Sequence, residues 1–266
     1  MTTSSSKTKT PFKLVPATLD DIDAIAEISG DAFKSDSHTL MKAVWRGENH
    51  HRDGTKVGME GLFNNPRLDV IVARKGIDGS GEVLGSIIWA RKGYPEDEVP
   101  RTDEHTTEIP VVPAPITTTI TTLPPPPSPV PAPVPSSPLT ISELEQTTNN
   151  AMTHYVGYLM PPGAKCRFIY SMNVAPAYQS QGIGSALMKW GTDKADQEVV
   201  FCWVSSSMEG TPAYEKAGFV EVGKLELKLD DYAQGVRRKV KSNDGVETEE
   251  EWGMYIWRWM KRTPKR

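Results

Sequence analysis

Gln179-Ser180-Gln181-Gly182-Ile183-Gly184-Ser185-Ala186-Leu187 joins an apolar run to an amphipathic one through a turn with almost no side-chain bulk. Upstream, Arg167-Phe168-Ile169-Tyr170-Ser171-Met172-Asn173-Val174 is rich in β-branched and aromatic residues, and Pro176 ends it by removing an N–H donor. Downstream, Ile183, Ala186, Leu187 and Trp190 recur at helical spacing, with Lys189, Thr192, Asp193 and Lys194 on the opposite face. The turn is therefore expected at a helix N-terminus. Unpaired N–H groups and the positive end of the helix dipole converge there, and glycines admit a phosphate close to the main chain. Two other phosphate-binding patterns fit poorly. The dinucleotide fingerprint needs Gly or Ala where Leu187 stands, with no intervening stretch such as Ala177 to Gln181, and the nucleotide P-loop needs a Gly-Lys-Ser/Thr that the chain lacks. A plain strand-to-helix turn, using glycine for backbone freedom alone, is the remaining alternative.

The order Gln179-x-x-Gly182-x-Gly184 after Met172-Asn173-Val174 resembles the acetyl-CoA signature of the GCN5-related N-acetyltransferase (GNAT) superfamily. A second block agrees: after Val199-Val200-Phe201-Cys202-Trp203-Val204 comes Gly210-Thr211-Pro212-Ala213-Tyr214-Glu215-Lys216-Ala217-Gly218-Phe219, similar to that family's short helix ending in Tyr-x-x-x-Gly-Phe. Trp190-Gly191 and Ala195-Asp196 further resemble a fungal-type branch. The resemblance implies an α/β GNAT-type acyl-CoA N-acyltransferase fold: a mixed, mostly antiparallel, splayed sheet flanked by helices. It covers the second half of the chain strongly and the first 95 residues more loosely.

At 266 residues with 38% hydrophobic content the chain can build one substantial core. A net charge of −4 argues against a nucleic-acid partner, which would need a basic face. Cys166 and Cys202 lie at or in apolar strands without metal-ligand spacing, so two reduced packing thiols are expected and no metal site. The polar stretch Met1 to Thr10 has no apolar h-region, and no run approaches the roughly 20 residues of a membrane span. A cytoplasmic protein without a membrane partner is the expectation. Arg237-Arg238-Lys239 and Lys261-Arg262 leave the nucleus as an alternative, although such short runs are more often solvated faces.

Residues 1–10 read as a disordered N-terminus and 11–262 as a single N-acetyltransferase domain, interrupted at 95–139 by a Pro/Thr-rich low-complexity insert. Fourteen of the 22 prolines lie between Tyr94 and Thr140, without apolar periodicity, so a solvated, disordered insert is expected. Pro124-Pro125-Pro126-Pro127 would permit a weak proline-recognising partner through residues 124–138. Ahead of the insert, Phe12 to Val15 reads as a strand, and Thr18-Leu19-Asp20-Asp21 as a capping box opening a helix that buries Ile22, Ile25, Ile28 or Ser29, and Phe33. A second helix is expected over His38 to Trp45, then a hairpin of Leu68–Arg74 and Val83–Arg91 turning at Gly76 to Gly81. Thr140 to Glu145 starts a polar helix reaching about Tyr155. After Phe219, a strand through Val220 to Leu229, a charged connection from Asp230 to Glu251 and a closing strand from Trp252 to Met260 complete the chain.

The resemblance also assigns roles. Pantetheine would insert between the splayed Arg167 and Val199 strands, pairing with backbone groups of Met172, Asn173 and Val174. The N–H groups of Gln181, Gly182, Ile183, Gly184, Ser185 and Ala186, following the signature residue Gln179, would hold the pyrophosphate. Acetyl-CoA is the implied acyl donor, and a small-molecule or peptide amine the acceptor. Transfer from a thioester to a neutral amine proceeds by direct attack in a ternary complex. It needs amine deprotonation, an oxyanion donor and a proton for the thiolate. Tyr214 matches the family's acid and Ser207 a family serine that touches cofactor or substrate. The carboxylates of the fungal-type pattern are replaced by Tyr170 and Ser205, leaving Glu209, acting through water, as the candidate base. His38, His50, His51, His105 and His154 lie outside both motif blocks and read as surface residues. Acceptor specificity is expected from Phe33, His38 and Trp45 and from Tyr232 and Trp252–Trp259, although an aromatic stripe in a terminal strand is core more often than pocket. A non-catalytic acyl-CoA-binding or sensor module of the same fold, and an adaptor acting through its proline tract, are the alternatives.

Overall fold

The computed structural model describes residues 9–94, 139–241 and 244–265. Residues 1–8 of the expected disordered N-terminus (1–10), residues 95–138 of the proline-rich insert (95–139) and the proline-recognition segment 124–138 lie outside these residues. Leu139, placed in the insert by composition, is anchored: its N–H donates to Asp231 O at 3.1 Å.

Seven strands form one sheet in the order β1-β2-β3-β4-β5-β9-β6: β1 is Phe12–Pro16, β2 Leu68–Lys75, β3 Val83–Lys92, β4 Cys166–Val174, β5 Phe201–Ser206, β6 Val220–Lys228 and β9 Met254–Arg262. All neighbours are antiparallel except β4 and β5, which run parallel. A separate ribbon pairs β7 (Arg238–Lys241) with β8 (Glu247–Glu250), so the charged connection is partly structured and Arg238 and Lys239 stand opposite Glu250 and Glu249. The closing strand begins at Met254. Trp252 lies just ahead of it, held where the Asp230 carboxylate accepts the N–H groups of Trp252 (3.0 Å) and Gly253 (2.9 Å).

Among the described residues, six helices flank the sheet: α1 (Ile22–Ala32), α2 (Ser37–Arg46), α3 (His50–Leu62), α4 (Ile141–Leu159), α5 (Ile183–Gln197) and α6 (Thr211–Lys216). The expected capping box of Thr18 with Asp21 is present, and the helix expected to start at Thr140 opens with a second box, Thr140 with Glu143, each satisfying N–H groups at the helix start. Helix α3 has no counterpart in the sequence reading, and α4 runs to Leu159 rather than Tyr155. Among the described residues, no helix is long and apolar enough to cross a membrane.

The core under α5 differs in detail from the sequence pattern. Its buried stripe is Ile183, Leu187, Met188, Gly191, Thr192 and Ala195, while Ala186 and Trp190 are only half-buried. Thr192 faces inward because its hydroxyl donates to Lys189 O within the helix (3.3 Å), which removes the cost of burying it. Gly191 is needed because the fully buried Trp89 indole lies across it: a Cβ there would stand 2.0 Å from Trp89 Cε2. Val199 and Val200 belong to the turn rather than the strand. Val199 has φ +54° and Val200 N–H donates to Ala195 O at 2.9 Å, closing the end of α5.

An ion-pair network fixes β4 to that same helix end. Arg167, 3% exposed, donates from Nε and Nη2 to the Glu198 carboxylate (2.7 and 2.6 Å) and from Nη1 to Asp69 Oδ2 (3.0 Å). Arg262, expected as part of a free basic run, is buried in a bidentate pair with Asp196 at 2.8 and 2.7 Å.

Candidate active site

Strands β4 and β5 part company within the sheet. Their ladder runs from Cys166↔Phe201 to Ile169↔Val204 and stops, while β4 continues to Val174, still paired with β3 on its other side. The edge of β4 from Tyr170 to Val174 that faces β5 therefore has no strand beside it. Main-chain groups on such an edge are a template for an extended ligand. Met172 and Val174 are half-buried and Asn173 is 3% exposed. Asn173 Nδ2 donates to Ser171 Oγ at 3.1 Å, while its buried Oδ1 has no partner among the described residues.

That edge leads directly into the glycine turn. Gly182 is the N-cap of α5 at φ +92°, a left-handed conformation that disfavours any residue with a Cβ, and no side chain caps the helix. The first intrahelical bond runs from Ala186 N–H to Gly182 O at 3.0 Å. Ala186 N–H, expected in the cradle, is thus committed within the helix, and the donors of Ile183, Gly184 and Ser185 are left pointing outward. Gln181 and Gly182 N–H also have no backbone partner among the described residues. Nothing lies within 4 Å of a Cβ built on Gly182, and one on Gly184 would meet only Val174 Cγ2 at 3.6 Å. Five successive N–H groups, Gln181 to Ser185, are thus without a backbone partner among the described residues at the positive end of a helix, with little crowding the two glycines. Gln179 and Gln181 shape the turn: Gln179 Nε2 donates to Val174 O (3.2 Å), and Gln181 bridges Ala177 O (3.2 Å) and Thr10 N (3.0 Å).

Tyr214, on the short helix α6 that follows β5, packs edge-on against Phe219 with centroids 5.8 Å apart. It is 6% exposed, yet its hydroxyl makes no hydrogen bond among the described residues and is not sealed from solvent. Burial raises its pKa, so the phenol stays protonated and available as a donor. Ser207 builds the turn into α6, where its Oγ accepts from Gly210 N (3.2 Å) and its carbonyl from Thr211 Oγ1 (2.9 Å). Glu209 is exposed on that turn. Both cysteines are free and buried, and burial pushes Cys202 up to about 11 and Cys166 up to about 12, so neither offers a thiolate nucleophile.

Two of the histidines depart from the surface reading, whereas His154 is exposed as expected and His105 lies outside the described residues. His38 is 3% exposed beside Trp257 and Tyr255, and burial, reinforced by Lys42 and His51, drives it down to about 3. His51 is partly buried against Phe33, with Nε2 at 3.0 Å from Ser29 Oγ. The expected acceptor-binding aromatics Tyr232, Trp252, Tyr255 and Trp259 are core, with Trp259 stacked on Tyr155 at 3.9 Å. Open space lies instead between α3 and α4, where a cleft of about 610 Å³ reaches Tyr170, Ser171 and Ser205 at the parted strand ends. Its lining helix α3 carries Gly54, Gly58 and Gly61, which lower its helical signal.

Residues 146–229 match the family model described as an acetyltransferase (GNAT) domain. No curated protein sequence matches the chain. Among solved structures, a mosquito arylalkylamine N-acetyltransferase like 5b aligns at 14% identity over 95% of this chain and 100% of that one, with a TM-score of 0.53, which shows a common fold. A histone acetyltransferase HPA2 and related acetyltransferase from Corynebacterium glutamicum aligns at 17% identity over 96% and 97%, with a TM-score of 0.47. The parted strands and the uncapped glycine turn after the first of them all lie within the segment 146–229 that matches the GNAT acetyltransferase domain model.

Proposed function

We propose that the chain is an acetyl-CoA-dependent N-acetyltransferase that passes an acetyl group directly to an amine. The observation that carries this reading is the continuity of the free β4 edge with the uncapped α5 cradle. One extended ligand with amides along its middle and a pyrophosphate at its end matches both. The N–H groups of Gln181 to Ser185 would hold the pyrophosphate, and main-chain groups of Met172, Asn173 and Val174 the pantetheine arm. The bound donor supplies an activated acyl carbon. The residues supply orientation, a backbone N–H for the developing oxyanion, and the Tyr214 hydroxyl as proton donor to the departing sulfur. With both cysteines buried and protonated, direct attack by the amine needs no covalent acyl-enzyme.

Tyr214→Phe tests the acid. It should lower kcat by about 100-fold, within the range of general acid–base contributions, while calorimetry shows acetyl-CoA affinity unchanged. Unaltered turnover at every pH would return Tyr214 to a packing role. The rival reading, a module that binds acyl-CoA without turnover, is favoured by one observation: Tyr170 and Ser205 at the parting are not carboxylates. CoA release with any member of an amine panel removes that rival.

A further inference from the structure

The cleft between α3 and α4 is apolar and carries no Asp, Glu, Lys or Arg in its lining among the described residues. Its volume of about 610 Å³ lies within the range of small-molecule sites. One wall is a flat aromatic surface, Phe168 stacked on Trp203 at 4.9 Å and 13°. The α3 residues Gly54 and Gly58 line the same cleft, and a Cβ on either would meet nothing within 4 Å. These glycines relieve no crowding, and each costs the helix about 0.5–1 kcal/mol relative to alanine, so their effect is to keep the cleft wide. The cleft opens where the strands part. Tyr170 is the bulged residue between the pairs Trp89↔Ile169 and Ile88↔Ser171, and it lines the cleft together with Ser171 and Ser205.

His51 contributes to the same lining, and its hydrogen bonds define its tautomer. The Thr55 hydroxyl spends its one proton on His51 O (2.8 Å), so at 3.2 Å from Ser29 Oγ it must accept the Ser29 proton. Ser29 Oγ is then left as an acceptor for His51 Nε2–H at 3.0 Å. The Nδ1 lone pair has no partner among the described residues and is not sealed from solvent. Burial lowers the imidazole pKa, with Lys42 from α2 and His50 lowering it further and Asp36 opposing them, so the ring is neutral at pH 7.

We propose that this cleft is the acceptor site, that it takes a primary amine on an apolar, ring-sized body, and that His51 Nδ1 removes the amine proton during transfer. The proposal rests on the acetyltransferase reading and adds to it the substrate class and the missing base. An ammonium has no anion to pair with in this lining, and burying an unpaired charge is costly, so the amine enters neutral and polycations are rejected. Its nitrogen lone pair forms the C–N bond to the acyl carbon as one N–H proton passes to Nδ1. The C–S bond breaks with its electrons on sulfur, which takes the Tyr214 proton, and the imidazolium returns a proton to the phenolate through solvent.

The test uses the full chain with 2-phenylethylamine, spermidine and a lysyl peptide as probes. Without acyl donor, 2-phenylethylamine should shift the His51 imidazole NMR resonances and spermidine should not. With acetyl-CoA, kcat/KM for 2-phenylethylamine should exceed that for spermidine and for the peptide about ten-fold or more. Gly58→Phe should raise its KM about ten-fold at unchanged acetyl-CoA affinity. His51→Gln should lower kcat about 100-fold and abolish the acid limb of its pH profile, which in the wild type falls below the ordinary imidazole value near 6.5. Failure of the wild-type chain to bind acetyl-CoA in calorimetry would overturn the acetyltransferase reading itself. Binding of acetyl-CoA combined with a preference for the charged amines, an unchanged KM in Gly58→Phe or a retained acid limb in His51→Gln would overturn this inference alone.

Discussion

Replacing Gly191 with alanine adds one methyl group in the middle of α5, and the structure predicts a large loss of stability from it. The added Cβ would stand 2.0 Å from Trp89 Cε2 and 2.3 Å from Cδ2 and Nε1, about half an ordinary carbon–carbon contact. The indole cannot swing away, because Trp89 is 0% exposed and its Nε1–H donates to Leu187 O at 3.4 Å. Either the helix lifts from the sheet or the indole leaves its rotamer. Overpacking of this kind costs about 1–3 kcal/mol, and the depth of overlap places this case near 3. At about 2–4 °C per kcal/mol for a domain of this size, Tm should fall by about 6–12 °C. Helix α4 provides the control: at Gly157 an added Cβ meets nothing within 4 Å, so Gly157→Ala should gain about 0.5–1 kcal/mol of helix propensity and raise Tm. Thermal unfolding followed by circular dichroism reads both. Opposite signs are expected, and a neutral Gly191→Ala would refute the seating of α5 on Trp89, and with it the position of the glycine cradle.

Arg167→Met should cost about 2 kcal/mol at pH 7: a buried pair broken from one side costs more, but Glu198 and Asp69 are about a third exposed and screened. The Arg167 guanidinium holds the Glu198 carboxyl below its usual range, so its stabilisation is present above the unfolded value near 4.3 and is lost as pH falls through the folded one. The gap between wild type and Arg167→Met in urea unfolding should therefore shrink at pH 3, and an equal gap at both pH values contradicts the pairing. Thr140→Ala removes the hydroxyl half of the α4 capping box and should lower stability by about 1 kcal/mol, which a drop in Tm of about 2–4 °C would register. An unchanged Tm would mean that α4 starts elsewhere.

The features read correctly from sequence are those whose causes are local. A glycine turn between a β-rich run and a helical period, and a threonine three residues before an acid, act within a few residues, and both appear where expected. The cleft was not legible because its walls come from α3 and α4, which only tertiary packing brings together. Helix α3 was also masked by its glycines, since the space they leave is what lowers its helical signal. Burial of His38 and His51 depends on Trp257, Tyr255 and Phe33 from distant segments or facing elements, which no window around a histidine reports. Val199 and Val200 misled in the opposite sense: their β-branched character fits a strand, but the bond to Ala195 O holds them in the turn that ends α5.

Donor binding depends most directly on the cradle at the start of α5. Calorimetric titration of acetyl-CoA into the wild-type chain and into Gly184→Trp is the deciding measurement. A Cβ at Gly184 would make only ordinary contact with Val174 Cγ2 at 3.6 Å, so the fold should tolerate the substitution while the indole occupies the space at the N–H donors. Saturable one-to-one binding to the wild type, lost in the folded variant, is the predicted result. Equal affinity in both chains would contradict the assignment of the Gln179 to Leu187 turn.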